Sequence, residues 1–257
     1  MEENMMEEGT DVVEIVVNWI KEAKSIVVLT GAEVSAESGL PDFSNLTFNP
    51  HIGEFRQNRG VRVAYWKKMR ELYPLLSKAE PNPAHRALVE LEMLGNLDCV
   101  LTQTTDGLHR RAGSSFVIEL HGTVLWVVCT QCGKDYYMDS IISDLEKGKE
   151  VPECEGCGGD LLKPPISFPG QPHPHWELRE AWIRLRQCDL LLVVGSSLDT
   201  PPASSLPTIA KESGAKVVII NQVESLTDGY ADAVIYGSPS QVLTYLVSRI
   251  KEGIAVA

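Results

Sequence analysis

The sequence predicts an α/β fold: a doubly wound parallel sheet interrupted by a helical cover and by a small cysteine-rich ribbon. Three observations lead there. Short apolar runs of strand length alternate with amphipathic stretches of helical period along most of the 257 residues. A glycine-bearing turn follows the first of those runs, at Gly31-Ala32. Two CxxC pairs, Cys129/Cys132 and Cys154/Cys157, stand about twenty residues apart.

Each element follows from its pattern. Residues 11–23 repeat apolar side chains with a helical period, and 25–30 (SIVVLT) read as the first buried strand. Helical patterns follow at 83–94, 176–187, 204–213 and 238–251, and strands at 99–102, 190–194, 216–220 and 234–236. Runs that are apolar throughout, rather than alternating, are what parallel strands covered on both faces require. Such a sheet opens its ligand crevice at the carboxyl ends of the strands. Two segments break the rhythm. Residues 43–79 are polar and aromatic-containing with no strand pattern, and read as a loop plus helices laid over the crevice. Residues 129–163 carry the CxxC pairs. The expected division is a Rossmann-like domain of 1–42, 80–128 and 164–257, a cover of 43–79, and a ribbon lobe of 129–163.

The spacing of Cys129, Cys132, Cys154 and Cys157 is that of a Zn²⁺ site. Four thiolates close a tetrahedron and leave no open coordination position, so the expected metal is structural. Cys99 and Cys188 lie in apolar runs and read as inert core thiols.

Composition excludes some classes. A net charge of −12 argues against direct nucleic-acid binding, which needs a basic face, and suits cationic peptide partners. No apolar run approaches membrane-spanning length, and the acidic start MEENMMEEGTD does not read as an export signal. A cytoplasmic location and no membrane partner are expected. Oligomeric state is left open.

The remaining motifs carry the chemistry. The first strand runs into GAEVSAESGLPDF, the place where such folds bring backbone N–H groups to a pyrophosphate, although glycine turns also occur there with no ligand. Asp106 and His109 share the loop TQTTDGLHRRAG at 102–113, and His121 ends a strand in ELHG. With NPAH at 82–85, KPPISFPG at 163–170, GSSL at 195–198 and IN at 220–221, in this order and with both CxxC pairs, the chain resembles the sirtuins, NAD-dependent protein deacylases, over nearly its whole length.

The resemblance implies NAD as co-substrate, structural Zn²⁺ and an acyl-lysine protein or peptide as substrate, the acyl group passing to ADP-ribose with release of nicotinamide. It implies that His121 is the general base, a role suited to an imidazole near neutral pH. It assigns the cofactor to Gly31, Ala32, Gln103, Thr104, Asp106, Gly195, Ser196 and Asn221: Asp106 on the nicotinamide carboxamide, Gln103 on the ribose side, Ala32 and its neighbours at the pyrophosphate, Ser196 on phosphate and Asn221 on the adenosine ribose. It assigns the substrate peptide to Ile166, Ser167, Phe168 and Gly170, by strand addition. His109 reads as a loop histidine with no chemical role. Tyr65 and Lys68 fall near where long-acyl sirtuins carry Tyr-x-x-Arg, and read as an exposed helical face.

The departures cluster on the cofactor. Where the family has GAG, Glu33 adds an anionic side chain; where it has PDFR, Ser44 replaces an arginine; where it has TQNID, Thr104 replaces the asparagine. Arg56, Arg59 and Arg62 are candidates to compensate at the phosphates. Pro169 removes a backbone N–H from the peptide-binding run. These changes keep two alternatives open: a weakened or inactive binding protein on the same fold, and an NAD hydrolase or ADP-ribosyl transferase.

Overall fold

Apolar five- and six-residue runs need partners on both faces, and the sheet supplies them. The computed structural model describes residues 2–41, 49–172, 175–199, 201–225 and 227–255. Its strands are β1 (Ile26–Thr30), β2 (Leu97–Thr102), β3 (Val117–Glu119), β4 (Trp126–Cys129), β5 (Asp135–Tyr137), β6 (Leu162–Lys163), β7 (Leu190–Val194), β8 (Lys216–Asn221) and β9 (Ala233–Tyr236). Six of them form one parallel sheet in the order β3-β2-β1-β7-β8-β9. The order reverses at β1, so the topological switch point lies between β1 and β7, where doubly wound sheets bind ligands.

The helices are α1 (Glu2–Glu22), α2 (Ala32–Ala36), α3 (Ile52–Gln57), α4 (Arg59–Lys78), α5 (Pro83–Met93), α6 (Leu108–Ala112), α7 (Met138–Glu146), α8 (His175–Gln187), α9 (Leu206–Glu212) and α10 (Pro239–Ala255). Alternate residues of each strand point to opposite faces. Val28, Leu192 and Val218 therefore pack with Val17 of α1, Leu88 of α5 and Leu246 of α10. Val27, Leu29, Leu191 and Ile219 face the other way, onto Leu185 of α8 and Ala210 of α9. Cys99 and Cys188 lie in this second cluster, and burial pushes both thiols up, Cys188 to about 11.

The cover helices and the ribbon share a third core. Phe55, Tyr65, Trp66, Met69 and Tyr73 from α3 and α4 pack with Val127, Met138, Ile142, Leu145 and Leu162 from the antiparallel sheet β5-β4-β6 and α7. Buried Arg62 fastens them, donating to Phe55 O at 2.8 Å and pairing with Asp160 at 2.9 Å. The ribbon's first strand already starts at Trp126, because its register pairs Trp126 with Tyr137 and Val128 with Asp135.

The structure departs from the sequence reading in two further places. β3 is a strand only three residues long, too short to stand out as an apolar run. His109 is not in a loop: α6 occupies that stretch, bounded by Gly107 and Gly113 at φ 73° and 110°, values that favour glycine. No helix among the described residues is long and apolar enough to cross a membrane.

Candidate active site at the carboxyl end of the sheet

Three chain segments meet at the carboxyl ends of β2 and β3. Leu120 N donates to Thr102 O and Val124 N to Thr105 O, both at 2.9 Å, so the ELHG turn is laced to the loop after β2. Gly122, at φ 82°, then lies against the run after β6: a Cβ there would stand 2.0 Å from Pro165 O. Only glycine allows that approach. His121, half-buried and one residue before it, is thereby set beside the segment that contains Ile166, Ser167 and Phe168.

Asp106 is buried in the adjoining loop. Its carboxyl accepts from Ser35 Oγ at 2.5 Å and from Leu108 N at 2.8 Å. Burial pushes its pKa up, and the hydrogen bonds from Ser35 and Leu108 oppose that rise. The contact draws α2 onto the β2 loop, and Asn82 anchors α2 from behind through Val34 O at 2.6 Å. Thr104 Oγ1 ends a polar chain that runs through Thr102 and Thr30 to His109 Nε2, with steps of 2.9, 2.9 and 2.8 Å. His109 in turn packs against His85 with ring centroids 4.6 Å apart and ring planes inclined by 52°. Burial holds both imidazoles neutral, driving His85 to about 4 and His109 well below its ordinary value.

At the switch point the turns after β1 and β7 cross. Gly31 N donates to Val194 O at 3.0 Å, and a Cβ on Gly31 would stand 2.3 Å from Gly195 O and 2.7 Å from Ser196 Cα. Gly195 itself adopts φ 62°. Ser196 Oγ accepts from the Gln103 amide at 2.5 Å, while Ser196 N and O exchange hydrogen bonds with the Asn221 side chain, both at 3.0 Å. Gly31, Ala32, Gln103, Gly195, Ser196 and Asn221 thus line one crevice. Gly31 and Gly195 let the two turns pack backbone against backbone at the switch point, and the amides and hydroxyl of Gln103, Asn221 and Ser196 with the Asp106 carboxyl match ribose and carboxamide, so the residues fit NAD.

The substrate-side run is held by a buried cation that sequence reasoning missed. Lys163 Nζ donates to Pro164 O at 2.8 Å and Ile166 O at 2.7 Å, and lies 4.5 Å from the Phe168 ring centroid. Burial, with a smaller push from Arg56, lowers its pKa to about 8. Phe168 also packs on Phe55 and Tyr65, with ring centroids 5.3 and 5.1 Å apart. Pro169 O accepts from Ile52 N at 2.9 Å, and a Cβ on Gly170 would run into His51. The run is therefore clamped between ribbon and cover. A lysine opening a Pro-rich stretch is the only sequence signal for this, and it does not separate a buried from an exposed cation.

Some candidates lie elsewhere. Arg59 and Arg62 do not serve the phosphates: Arg59 pairs with Glu150 at 3.0 Å and Arg62 with Asp160, both inside the small lobe. Tyr65 is a core ring, and Lys68 pairs with Glu71 at 3.2 Å. Asp42, Phe43 and Ser44 lie outside the described residues.

The four ribbon cysteines converge, with their sulfurs all within 4.8 Å of one another. Cys129 and Cys157 approach to 3.7 Å, Cys132 and Cys154 to 3.4 Å. A Zn–S bond of ~2.3 Å puts tetrahedral sulfurs ~3.8 Å apart, whereas a disulfide needs about 2.05 Å. The cluster fits Zn²⁺. Tyr136 donates to Cys154 Sγ at 3.1 Å and favours its thiolate.

Fold and site together define a doubly wound nucleotide-binding protein with a four-cysteine ribbon packed on its cover helices. The chain belongs to the Sir2 family, whose sequence pattern matches residues 31–202. The NAD-dependent protein deacetylase of Thermodesulfovibrio yellowstonii is 40% identical over 242 residues, 90% of this chain and 93% of its own. NAD-dependent protein deacylase 2 of Archaeoglobus fulgidus is 39% identical over 241 residues, with the same coverage of 90% and 93%. Among solved structures, Sir2 bound to acetylated peptide superposes with a TM-score of 0.84 at 35% identity, covering 94% of this chain and 98% of the other. Sir2Af2 bound to a myristoylated histone peptide gives 0.79 at 37% identity, covering 96% and 100%.

Proposed function

We propose that this protein is an NAD-dependent protein-lysine deacylase that moves an acyl group from lysine to ADP-ribose and releases nicotinamide. The observation that carries the reading is the contact of Gly122 with Pro165, which sets His121 beside residues 166–168 at the mouth of the crevice. Sir2 relatives with acetylated and myristoylated peptides support an acyl-lysine peptide as substrate. NAD supplies the activated glycosidic bond to nicotinamide. The chain supplies the rest. Asp106, fixed by Ser35 and Leu108, orients the carboxamide; Gln103 and Thr104 face the nearer ribose; Ser196 and Asn221 hold the adenosine side; Gly31, Ala32 and Gly195 admit the pyrophosphate. His121, as general base, would take the proton of a ribose hydroxyl of bound NAD.

The peptide lies along residues 166–170. Phe168 N is taken by the Gln171 side chain at 3.1 Å and Pro169 has no N–H. Ile166 and Ser167 N–H have no protein partner among the described residues, and strand addition uses these two. Zn²⁺ at Cys129, Cys132, Cys154 and Cys157 holds the small lobe that backs this run. Reduced thiols suit the cytoplasm as the compartment.

The test is nicotinamide release, followed by chromatography, from zinc-loaded protein given NAD with and without acyl-lysine peptides. Release that depends on peptide is expected, falling about 10²–10⁴-fold in His121→Ala. Release without peptide would favour an NAD hydrolase, and no release a binding protein.

A further inference from the structure

Glu33 stands where the family has glycine, in the first turn of α2 just after β1. It is held across the crevice toward β8: Glu33 N donates to Gly195 O at 3.1 Å, and Glu33 Oε2 accepts from Gln222 N at 3.3 Å. Gln222 directly follows Asn221, whose side chain is bound in both directions to the Ser196 backbone. The carboxylate is therefore posted beside the Asn221–Ser196 pair. Its second oxygen, Oε1, has no hydrogen-bond partner and Glu33 no ion pair among the described residues. A carboxylate offers only acceptors. It welcomes a hydroxyl and repels a second anion.

We infer that Glu33 selects the cofactor's adenosine ribose, accepting a hydrogen bond from its hydroxyl and rejecting a nucleotide that carries a phosphate ester there, so that NAD is taken and NADP refused. The inference rests on the reading of Asn221 and Ser196 as the adenosine side of the crevice. Acidic side chains meet ribose hydroxyls in this way in doubly wound folds generally, and a phosphate ester adds about −1.5 to −2 charges at neutral pH. An extra carboxylate in the cofactor site then tunes specificity rather than simply weakening binding.

The experiment is calorimetric titration of the zinc-loaded protein with NAD, NADP and ADP-ribose, for wild type, Glu33→Gln and Glu33→Gly, at low and high salt. Glutamine keeps the length and can still accept from Gln222 N; glycine restores the family residue. Wild type is expected to prefer NAD over NADP by on the order of 100-fold, with the preference shrinking as salt screens the repulsion. Both variants are expected to narrow it about tenfold or more, chiefly by gaining NADP. An unchanged NAD/NADP ratio in variants that still bind NAD would overturn the inference while leaving the crevice reading intact. Failure of wild type to bind either NAD or ADP-ribose would overturn both.

Discussion

The two lobes of this protein are built on different physics. The sheet domain is held by burial: β1, β2, β7 and β8 are sandwiched between α1, α5 and α10 on one face and α8 and α9 on the other, with apolar clusters on both. The small lobe has a three-stranded sheet and three helices around one aromatic-rich core, and its ribbon closes only where four thiols converge. A large parallel sheet stabilises itself by the apolar area it buries. A ribbon with strands of four, three and two residues does not, and relies on its metal. The crevice lies at the joint, with the proposed cofactor residues on the sheet and the proposed peptide run, residues 166–170, backed by the lobe.

The largest effect should come from removing the metal. Cys129→Ala is expected to lose Zn²⁺ by metal analysis and to lose hydrogen-exchange protection across residues 126–163, while β1, β2 and β7 stay protected. Structural zinc contributes on the order of 10 kcal/mol to small domains, far beyond what a nine-residue strand set supplies. Full protection and a full thermal transition in that variant would show that the lobe stands without metal.

A smaller effect is expected at the joint. Lys163→Met leaves the Pro164 and Ile166 carbonyls without their donor, at a cost of ~1–3 kcal/mol for each buried group. The peptide run should loosen, raising KM for acyl-peptide roughly tenfold with little change in kcat. Lys163→Arg should restore part of the loss. Equal falls in kcat for both variants, with KM unchanged, would argue that Lys163 does not position the peptide.

The smallest effect belongs to the sheet domain. Burial holds His85 near a pKa of about 4 against an ordinary 6.5, so between those values the unfolded chain binds the proton that the folded one refuses. Stability is then complete above pH 6.5 and lost as pH falls toward 4. His85→Gln should flatten the pH 7 to pH 5 decline in urea stability by about 2 kcal/mol. An identical decline in the variant would place the pH dependence elsewhere.

What sequence could reveal follows the same division. The buried strands were legible because both faces are apolar, and the ribbon because thiolate chemistry fixes its spacing. His121 and Asp106 stand out in sequence by their motifs, and the roles proposed for them rest on the sirtuin resemblance. The fusion of cover and ribbon into one core was not, because Arg62 and Asp160 are distant in sequence and neither carries a pattern. Nor was the burial of Lys163, the Ser35–Asp106 bond or the His85–His109 ring contact, each of which depends on a tertiary distance. Whether Glu33 faced the phosphates or away could be decided only by its bond to Gln222 N. Arg59 and Arg62 looked free to reach the cofactor and are instead spent on the small lobe.

The most direct test of the account is mass spectrometry of an acyl-lysine peptide incubated with NAD and the zinc-loaded protein. It predicts deacylated peptide and an acylated ADP-ribose in equal amounts with nicotinamide, all abolished in His121→Ala. An unchanged peptide, in a sample that binds NAD and retains its zinc, would contradict it.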